Sequence, residues 1–160
     1  MPGRIKVLLD TSYFLPVFGI AVKGLEVGDL LAIRRHALQG TISLYYASFM
    51  WLELLPKVYR EARKRGVDVE NIVEKAVKSI LKADYLKPVD ADEHALMTAY
   101  KMRCLGHRDM IDNLLYGIAS SKDMILVTMD VTLVDFLKKH GLREAKVMSH
   151  KELLTMLEST

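Results

Sequence analysis

The sequence predicts an α/β fold, a three-layer α/β/α sandwich around a parallel sheet of about five strands. Short aliphatic segments alternate along the chain with longer amphipathic ones, and strands that are separated by helices typically form a parallel sheet covered on both faces. The length of 160 residues fits a single domain. Because no repeat or linker divides the chain, we expect one domain over residues 1–160.

The candidate strands are short and rich in aliphatic or aromatic residues. They are Ile5–Leu9, Ser43–Tyr46, Tyr85–Val89, Ile125–Thr128 and Ala145–Met148. The first strand ends at Asp10, and the fourth is followed by Asp130. Polar residues therefore follow directly where two of the predicted strands end.

The segments between the strands have the periodicity of amphipathic helices. They are residues 25–38, 48–65, 68–83, 90–104, 109–121, 131–140 and 150–158. Asp68 and Ser149 are candidate N-caps, and glycines stand where four of the helices should stop. These glycines are Gly40, Gly66, Gly106 and Gly141. Pro56 should kink or break the helix predicted at 48–65.

Composition bounds the class of protein. The net charge of +3 is compatible with a polyanionic partner but does not require one. A single cysteine excludes an internal disulfide, and the histidines lack the spacing of a zinc site, so we expect an intracellular, cytoplasmic protein. The longest apolar run, Tyr13–Val22, is about half of the roughly 20 residues that a membrane-spanning helix needs. The scarcity of Gln and Asn suggests a thermophilic source.

Two acids are expected at one edge of the sheet. Asp10 closes the first strand, and Asp130 lies two residues beyond the strand Ile125–Thr128. Ligands bind at the carboxyl ends of the strands in open parallel sheets, so both carboxylates should emerge at the binding edge. The alternative is that each is a turn or N-cap residue, since Asp is common at both.

Two further acids lie in apolar surroundings. Glu53 stands within residues 49–55 and Asp112 within residues 110–116, both largely apolar segments. An ionised carboxylate there is costly unless it is paired or binds a metal. Alternatively, each occupies a narrow polar stripe of its helix. Asp109 shares a helical face with Asp112 and is either an outer metal ligand or a first-turn acid favoured by the helix dipole.

Four carboxylates at one edge would repel one another unless cations neutralised them. Oxygen ligands favour Mg²⁺ or Mn²⁺ over zinc. The matching chemistry is phosphodiester hydrolysis, in which one ion activates water and a second, about 4 Å away, stabilises the leaving oxygen.

The acidic motifs resemble those of PIN domains, especially the VapC-like ribonuclease toxins. Asp10 to Phe14 is similar to the opening motif, and Glu53 is similar to the second acid. Residues 112–119, in which Asp112 leads an apolar helix, resemble the third motif, and residues 126–130 resemble the closing Thr-x-Asp motif. The resemblance covers nearly the whole chain, and the motifs occur in the family's order.

This resemblance implies a Mg²⁺- or Mn²⁺-dependent endoribonuclease that cuts single-stranded RNA. Such proteins are often dimeric and act as the toxin of a toxin–antitoxin pair, with an antitoxin protein as partner, or in RNA processing. The implied metal-binding and catalytic acids are Asp10, Glu53, Asp112 and Asp130. Thr11 or Ser12 and Thr128 would hydrogen-bond the acids or water at the site. The chain departs from the family at Asn113, where a small residue is common, and in the helical, basic segment 24–40.

Basic residues follow Glu53 at helical spacing. Lys57, Arg60 and Lys64 would form a stripe that binds RNA phosphates if the helix is continuous. The alternative is a solvated charged face. Residues 34–36 are a second basic candidate. Three aromatic residues are expected in the core rather than as platforms for bases; they are Tyr45, Tyr46 and Trp51.

Two other functions compete with the nuclease. A phosphatase with a nucleophilic Asp10 needs a second acid two residues later to transfer protons. Ser12 occupies that position, which argues against this class. The other alternative is a catalytically inactive PIN-like scaffold that binds RNA or a protein partner, and the presence of all four acids ranks it below catalysis.

Overall fold

The computed structural model describes residues 3–66 and 70–160. At its centre lies a five-stranded sheet in the order β3-β2-β1-β4-β5 in which each described pairing is parallel. The strands are β1 (Ile5–Leu9), β2 (Ile42–Ala47), β3 (Leu86–Val89), β4 (Ile125–Val127) and β5 (Val147–Met148). All five predicted strands are present, and their bounds differ from the predictions by at most two residues.

Helices cover both faces of the sheet. The α-helices of the described ranges are α1 (Val27–Leu38), α2 (Trp51–Arg65), α3 (Glu70–Lys82), α4 (Glu93–Cys104), α5 (Met110–Lys122), α6 (Val131–Lys139) and α7 (His150–Glu158). Helices α4, α5 and α6 pack on one face, while α1, α2, α3 and α7 contribute to the core on the other. The predicted three-layer α/β/α sandwich is confirmed.

The central strand shows how the sequence supplies both cores. Val7 and Leu9 belong to the core beneath α1, α2, α3 and α7, whereas Leu8 belongs to the core beneath α4, α5 and α6. All three side chains are buried because successive residues of a strand point to opposite faces. A continuous aliphatic run is therefore the expected sequence of a strand with helices on both sides.

A 3₁₀ helix at Thr11–Phe18 was not predicted. Its sequence is almost entirely apolar and contains Pro16, so it lacks the polar face from which an amphipathic helix is recognised. Asp10 caps its first turn, and Gly19 ends it with a φ of 77°. A left-handed residue there suits glycine, which has no Cβ to clash.

Pro56 does not break α2, which runs from Trp51 to Arg65. We expected a kink or a break at this residue, and the break is wrong for a local reason. Proline removes the hydrogen bond to the carbonyl four residues earlier, which belongs to Leu52. Pro56 and Leu52 are both exposed, so they lie on the solvent side of the helix, where water replaces a lost bond at little cost. The candidate N-cap Asp68 lies outside the described residues.

Helices α4 and α5 pack closely at a glycine. Gly117 is buried within α5, and a Cβ built there would lie 2.4 Å from the carbonyl oxygen of Ala95 in α4. The absence of a side chain is thus what allows the two helices to approach. Within residues 3–66 and 70–160, no helix has the length and apolar character needed to cross a membrane.

Candidate functional site

The four predicted acids lie around the point where the strand order reverses. After β1 the chain builds β2 and β3 on one side of it, and then places β4 and β5 on the other. Such a switch point leaves a crevice at the carboxyl ends of the two central strands. Asp10 follows β1 directly, and Thr128 follows β4 directly, so both lie at this crevice.

Asp10 is held by two hydrogen bonds. Its Oδ1 accepts from the backbone N–H of Ser12 at 2.8 Å, and its Oδ2 accepts from Thr128 Oγ1 at 2.5 Å. The side chain is buried, and burial raises the pKa of this carboxyl group above its usual value. The negative charge of nearby Glu53 raises that pKa further. An ionised Asp10 therefore depends on its donors or on a cation to offset the loss of water.

Glu53 lies in the first turn of α2 and contacts two neighbouring side chains, one from the 3₁₀ helix and one from α2. Its Oε2 accepts a hydrogen bond from Thr11 Oγ1 at 3.1 Å, and its Oε1 forms an ion pair with Lys57 Nζ at 2.5 Å. Thr11 itself is buried. The hydrogen bonds to acids expected of Thr11 and Thr128 are both present, and Ser12 contributes its backbone N–H.

Asp112 is the most perturbed acid of the site. It lies in the first turn of α5, 8% exposed, and burial is the largest cause that raises its pKa to about 8. A hydrogen bond with the Asp130 carboxyl group raises the pKa further, as do the charges of Asp109, Asp130 and Asp10. Burial, this hydrogen bond and the neighbouring negative charges therefore all favour the protonated form of Asp112.

Several of these acids also cap helices. Asp10 caps the 3₁₀ helix, Asp130 caps α6 by accepting from Leu133 N at 3.2 Å, and Asp109 caps α5 by accepting from Asp112 N at 3.1 Å. Asp10 and Asp130 are therefore N-cap residues, as the alternative interpretation expected. Capping of α5 is the role that the structure shows for Asp109. Capping leaves Asp112 unexplained, because Asp112 caps no helix and lies among like charges.

Asn113 is a positioning residue that the sequence did not reveal. It is fully buried, its Nδ2 donates to the carbonyl of His107 at 3.0 Å, and its Oδ1 lies 2.7 Å from His107 Nδ1. This pair fixes the loop that enters α5 and so the helix turn that carries Asp112. The sequence did contain a signal for this role, because Asn113 is a polar residue within a largely apolar helix and lies six residues after His107.

The donor set fits a hard divalent cation in chemical type. Asp10, Glu53, Asp112 and Asp130 offer only oxygen atoms, the ligands of Mg²⁺ and Mn²⁺. Among the described residues, no three His, Cys, Asp or Glu side chains are arranged so that they could hold one ion as they stand. Burial is the main cause of the raised pKa values of Asp10 and Asp112, and the negative charges of neighbouring acids raise both further.

The predicted RNA-binding residues lie on α2 beside this site. Lys57 is paired with Glu53, and Lys64 lies 3.2 Å from Glu61. Arg60 is exposed. In the second basic segment, the Arg34 guanidinium lies over the Tyr85 ring. The aromatic residues expected in the core behave as follows: Tyr46 is buried, and Tyr45 and Trp51 are half-buried and packed against the two cores.

Comparison with known proteins shows the fold. No protein-family model matches the sequence, and no curated protein is significantly similar to it. Among solved structures, the crystal structure of PAE2754 from Pyrobaculum aerophilum is similar, with a TM-score of 0.63 and 17% sequence identity. The similarity covers 100% of this chain and 95% of that one. The whole chain therefore adopts a fold that is known in a crystal structure.

Proposed function

We propose that this chain is a divalent-cation-dependent endoribonuclease that cleaves single-stranded RNA. The observation that carries the proposal is the acid cluster at the switch point, in which Asp112 and Asp130 share a hydrogen bond and Asp10 and Glu53 lie close by. The resemblance to PIN domains connects this cluster to RNA cleavage.

Three features favour a catalytic cluster over a structural one. The acids come from four separate segments of the chain and lie near one another at the carboxyl ends of the strands. Within residues 3–66 and 70–160, Asp112 caps no helix and forms no ion pair, and its pKa is raised to about 8. A group that is strongly perturbed in a crevice is a candidate for function. Like charges gathered in this way cost stability, and function is the usual reason to retain them.

Each side chain has a separate task in the proposed reaction. Asp10, Asp112 and Asp130 would hold the cation, while Glu53 would complete the ligand set from the opposite side. Thr128 orients Asp10 and also accepts a hydrogen bond from Asp130 N at 3.0 Å, so a single hydroxyl fixes two acids. Thr11 orients Glu53. Divalent cations bound here would supply Lewis-acid activation of water and charge neutralisation at the phosphodiester.

The test is cleavage of a labelled single-stranded RNA by the purified chain with Mg²⁺ or Mn²⁺. We expect cleavage that EDTA abolishes and that Asp112→Asn lowers by at least about 100-fold, the scale of losing one group that acts in the transition state. Asp135→Asn is the matched control, because Asp135 is an exposed acid on α6. Equal rates for the two variants, or cleavage that survives EDTA, would exclude this site as the source of the activity.

The inactive-scaffold alternative gives a different result. A scaffold should bind no Mn²⁺ at the acid cluster, so titration with Mn²⁺ should give the same result for the parent and for Asp112→Asn. The nuclease should bind Mn²⁺ in the parent and more weakly in the variant.

The role as the toxin of a toxin–antitoxin pair is the narrower form of the proposal and rests on the resemblance. Expression of the parent chain in bacteria should then arrest growth, while Asp112→Asn should not. Normal growth of cells that contain active parent enzyme would favour RNA processing over toxicity.

A further inference from the structure

A basic groove lies against α2, on the side that faces the segment between the 3₁₀ helix and α1. Its volume is about 580 Å³, and its apolar floor includes Leu15, Ile20 and Val22. The charged residues along it are Lys23, Lys57, Arg60, Glu61, Lys64 and Arg65. Five cations face one carboxylate, an excess of four positive charges. This excess is larger than the net charge of +3 of the whole chain, so the positive charge of the molecule is concentrated here.

The groove begins where the acid site ends. Lys57 lines the groove, and its ammonium group lies 2.5 Å from Glu53 Oε1. From Glu53 to Lys64 the continuous helix rises about 16 Å, at roughly 1.5 Å per residue. The cations are therefore spread along a line that leads away from the proposed site of cleavage.

Part of this charge is uncompensated. Lys57 is paired with Glu53, Lys64 with Glu61, and Arg65 donates to the carbonyl of Gly19 at 3.4 Å. Within residues 3–66 and 70–160, Arg60 and Lys23 have no ion pair or hydrogen bond from their side chains. Both line the groove but come from different segments, since Arg60 belongs to α2 and Lys23 to the segment before α1.

We propose that this groove binds the sugar–phosphate backbone of single-stranded RNA on one side of the scissile bond. The inference rests on the proposed function and adds where the substrate lies. A row of cations along roughly 16 Å of helix matches a linear polyanion better than a single anion. An apolar floor between cationic walls suits a nucleic-acid strand, whose ribose and base faces are less polar than its phosphates. An acidic peptide is the competing ligand, but only a nucleic acid gives a reason for the groove to lead into the acid site.

The experiment measures binding of a labelled single-stranded RNA of about twelve nucleotides, within the range of known single-strand sites. It is done in EDTA, so that no cleavage takes place. We expect Arg60→Gln with Lys64→Gln to weaken binding at least about tenfold at low salt. The slope of log affinity against log salt should become shallower by about 1.4, since each phosphate contact on a single strand contributes about 0.7.

The matched control is Arg63→Gln with Lys101→Gln. Arg63 belongs to the same helix but lies against Tyr59 and does not line the groove, and Lys101 is on α4, across the sheet. This control removes the same two charges and should leave the affinity within about twofold. Equal weakening in both double variants would show that the overall charge is responsible for binding. That result would overturn the proposal that the groove binds RNA. Competition by polyglutamate as effective as that by unlabelled RNA would overturn it in favour of an acidic protein partner.

The experiments distinguish failure of the proposed RNA-binding groove from failure of the proposed nuclease activity. A chain that binds RNA through the groove in EDTA but does not cut it with Mn²⁺ supports the groove and contradicts the proposed function. A chain that cuts RNA with the same KM in the parent and in the groove variant contradicts the groove alone.

Discussion

Thr128 donates a hydrogen bond to Asp10 from a position 118 residues further along the chain. This bond joins the ends of the two central strands, β1 and β4, at the crevice between them. The same hydroxyl oxygen accepts from Asp130 N. One buried side chain therefore sets the relative positions of two of the four acids.

Replacement of Thr128 by valine should weaken both the fold and the site. Valine has the same shape but removes the donor to Oδ2 of the buried Asp10 carboxyl group, which costs about 1–3 kcal/mol in the free energy of unfolding. Urea unfolding would measure this loss, and Mn²⁺ titration should show weaker binding. Thr128→Ser retains the hydroxyl and should restore most of both. Identical unfolding midpoints for Thr128→Val and the parent would show that the bond contributes nothing.

Replacement of Asp112 by asparagine should stabilise the metal-free protein at alkaline pH. The carboxyl group has a pKa of about 8 in the folded chain and about 3.9 in an unfolded one. The folded state thus holds this proton more tightly than the unfolded state. The contribution of Asp112 to the free energy of unfolding is therefore most favourable at low pH and falls as pH rises from about 4 to about 8. Asparagine cannot ionise and should gain up to about 5 kcal/mol at pH 8, since the pKa differs by roughly four units between the two states and each unit corresponds to about 1.4 kcal/mol.

Thermal unfolding in EDTA at pH 5 and pH 8 tests this expectation. The difference in Tm between Asp112→Asn and the parent should be small at pH 5 and several degrees larger at pH 8. Asp135→Asn, an exposed change on α6, should show no such pH dependence. A lower Tm for Asp112→Asn at pH 8 would mean that the ionised Asp112 is stabilising, contrary to the cause assigned to its pKa.

The strands could be predicted because their information is local. The last three residues of the aliphatic run Ile5–Leu9 are buried on both faces of the sheet, and a strand between two helical layers needs no other pattern. The acids at the strand ends could be predicted for the same reason. Asp10 needs only to follow a strand to lie at the edge of the sheet.

The remaining features depend on contacts between distant segments. Strand order is set by packing, so the switch point between β1 and β4 was not predictable from either strand. The ion pair between Lys57 and Glu53 has the common four-residue spacing of a helix. That spacing suited a lysine facing solvent equally well, and the structure shows that the lysine pairs with Glu53.

Gly117→Ala should destabilise the fold by separating α4 from α5. The new methyl group would lie 2.4 Å from the Ala95 carbonyl oxygen, a backbone atom that cannot rotate away. Overpacking of this kind costs typically about 1–3 kcal/mol. Gly28→Ala in α1 is the control, because a Cβ there meets nothing within 4 Å and alanine in a helix gains about 0.4–1 kcal/mol over glycine. Urea unfolding should give opposite signs for the two variants, and equal signs would contradict the close helix contact.

The hydrogen bond between Tyr13 and His150 should stabilise the attachment of α7. Tyr13 Oη lies 3.0 Å from His150 Nδ1, both side chains are buried, and their rings meet edge to face. Tyr13→Phe keeps the ring but leaves the histidine nitrogen without this partner, so we expect a loss of about 1–3 kcal/mol. Combined with His150→Phe in a double-mutant cycle, the two changes should show a coupling of at least about 0.5 kcal/mol. Additive losses in urea unfolding would mean that the two residues act independently. Because Tyr13 lies in the 3₁₀ helix that Asp10 caps, a coupled pair would also make α7 a support for the first acid of the site.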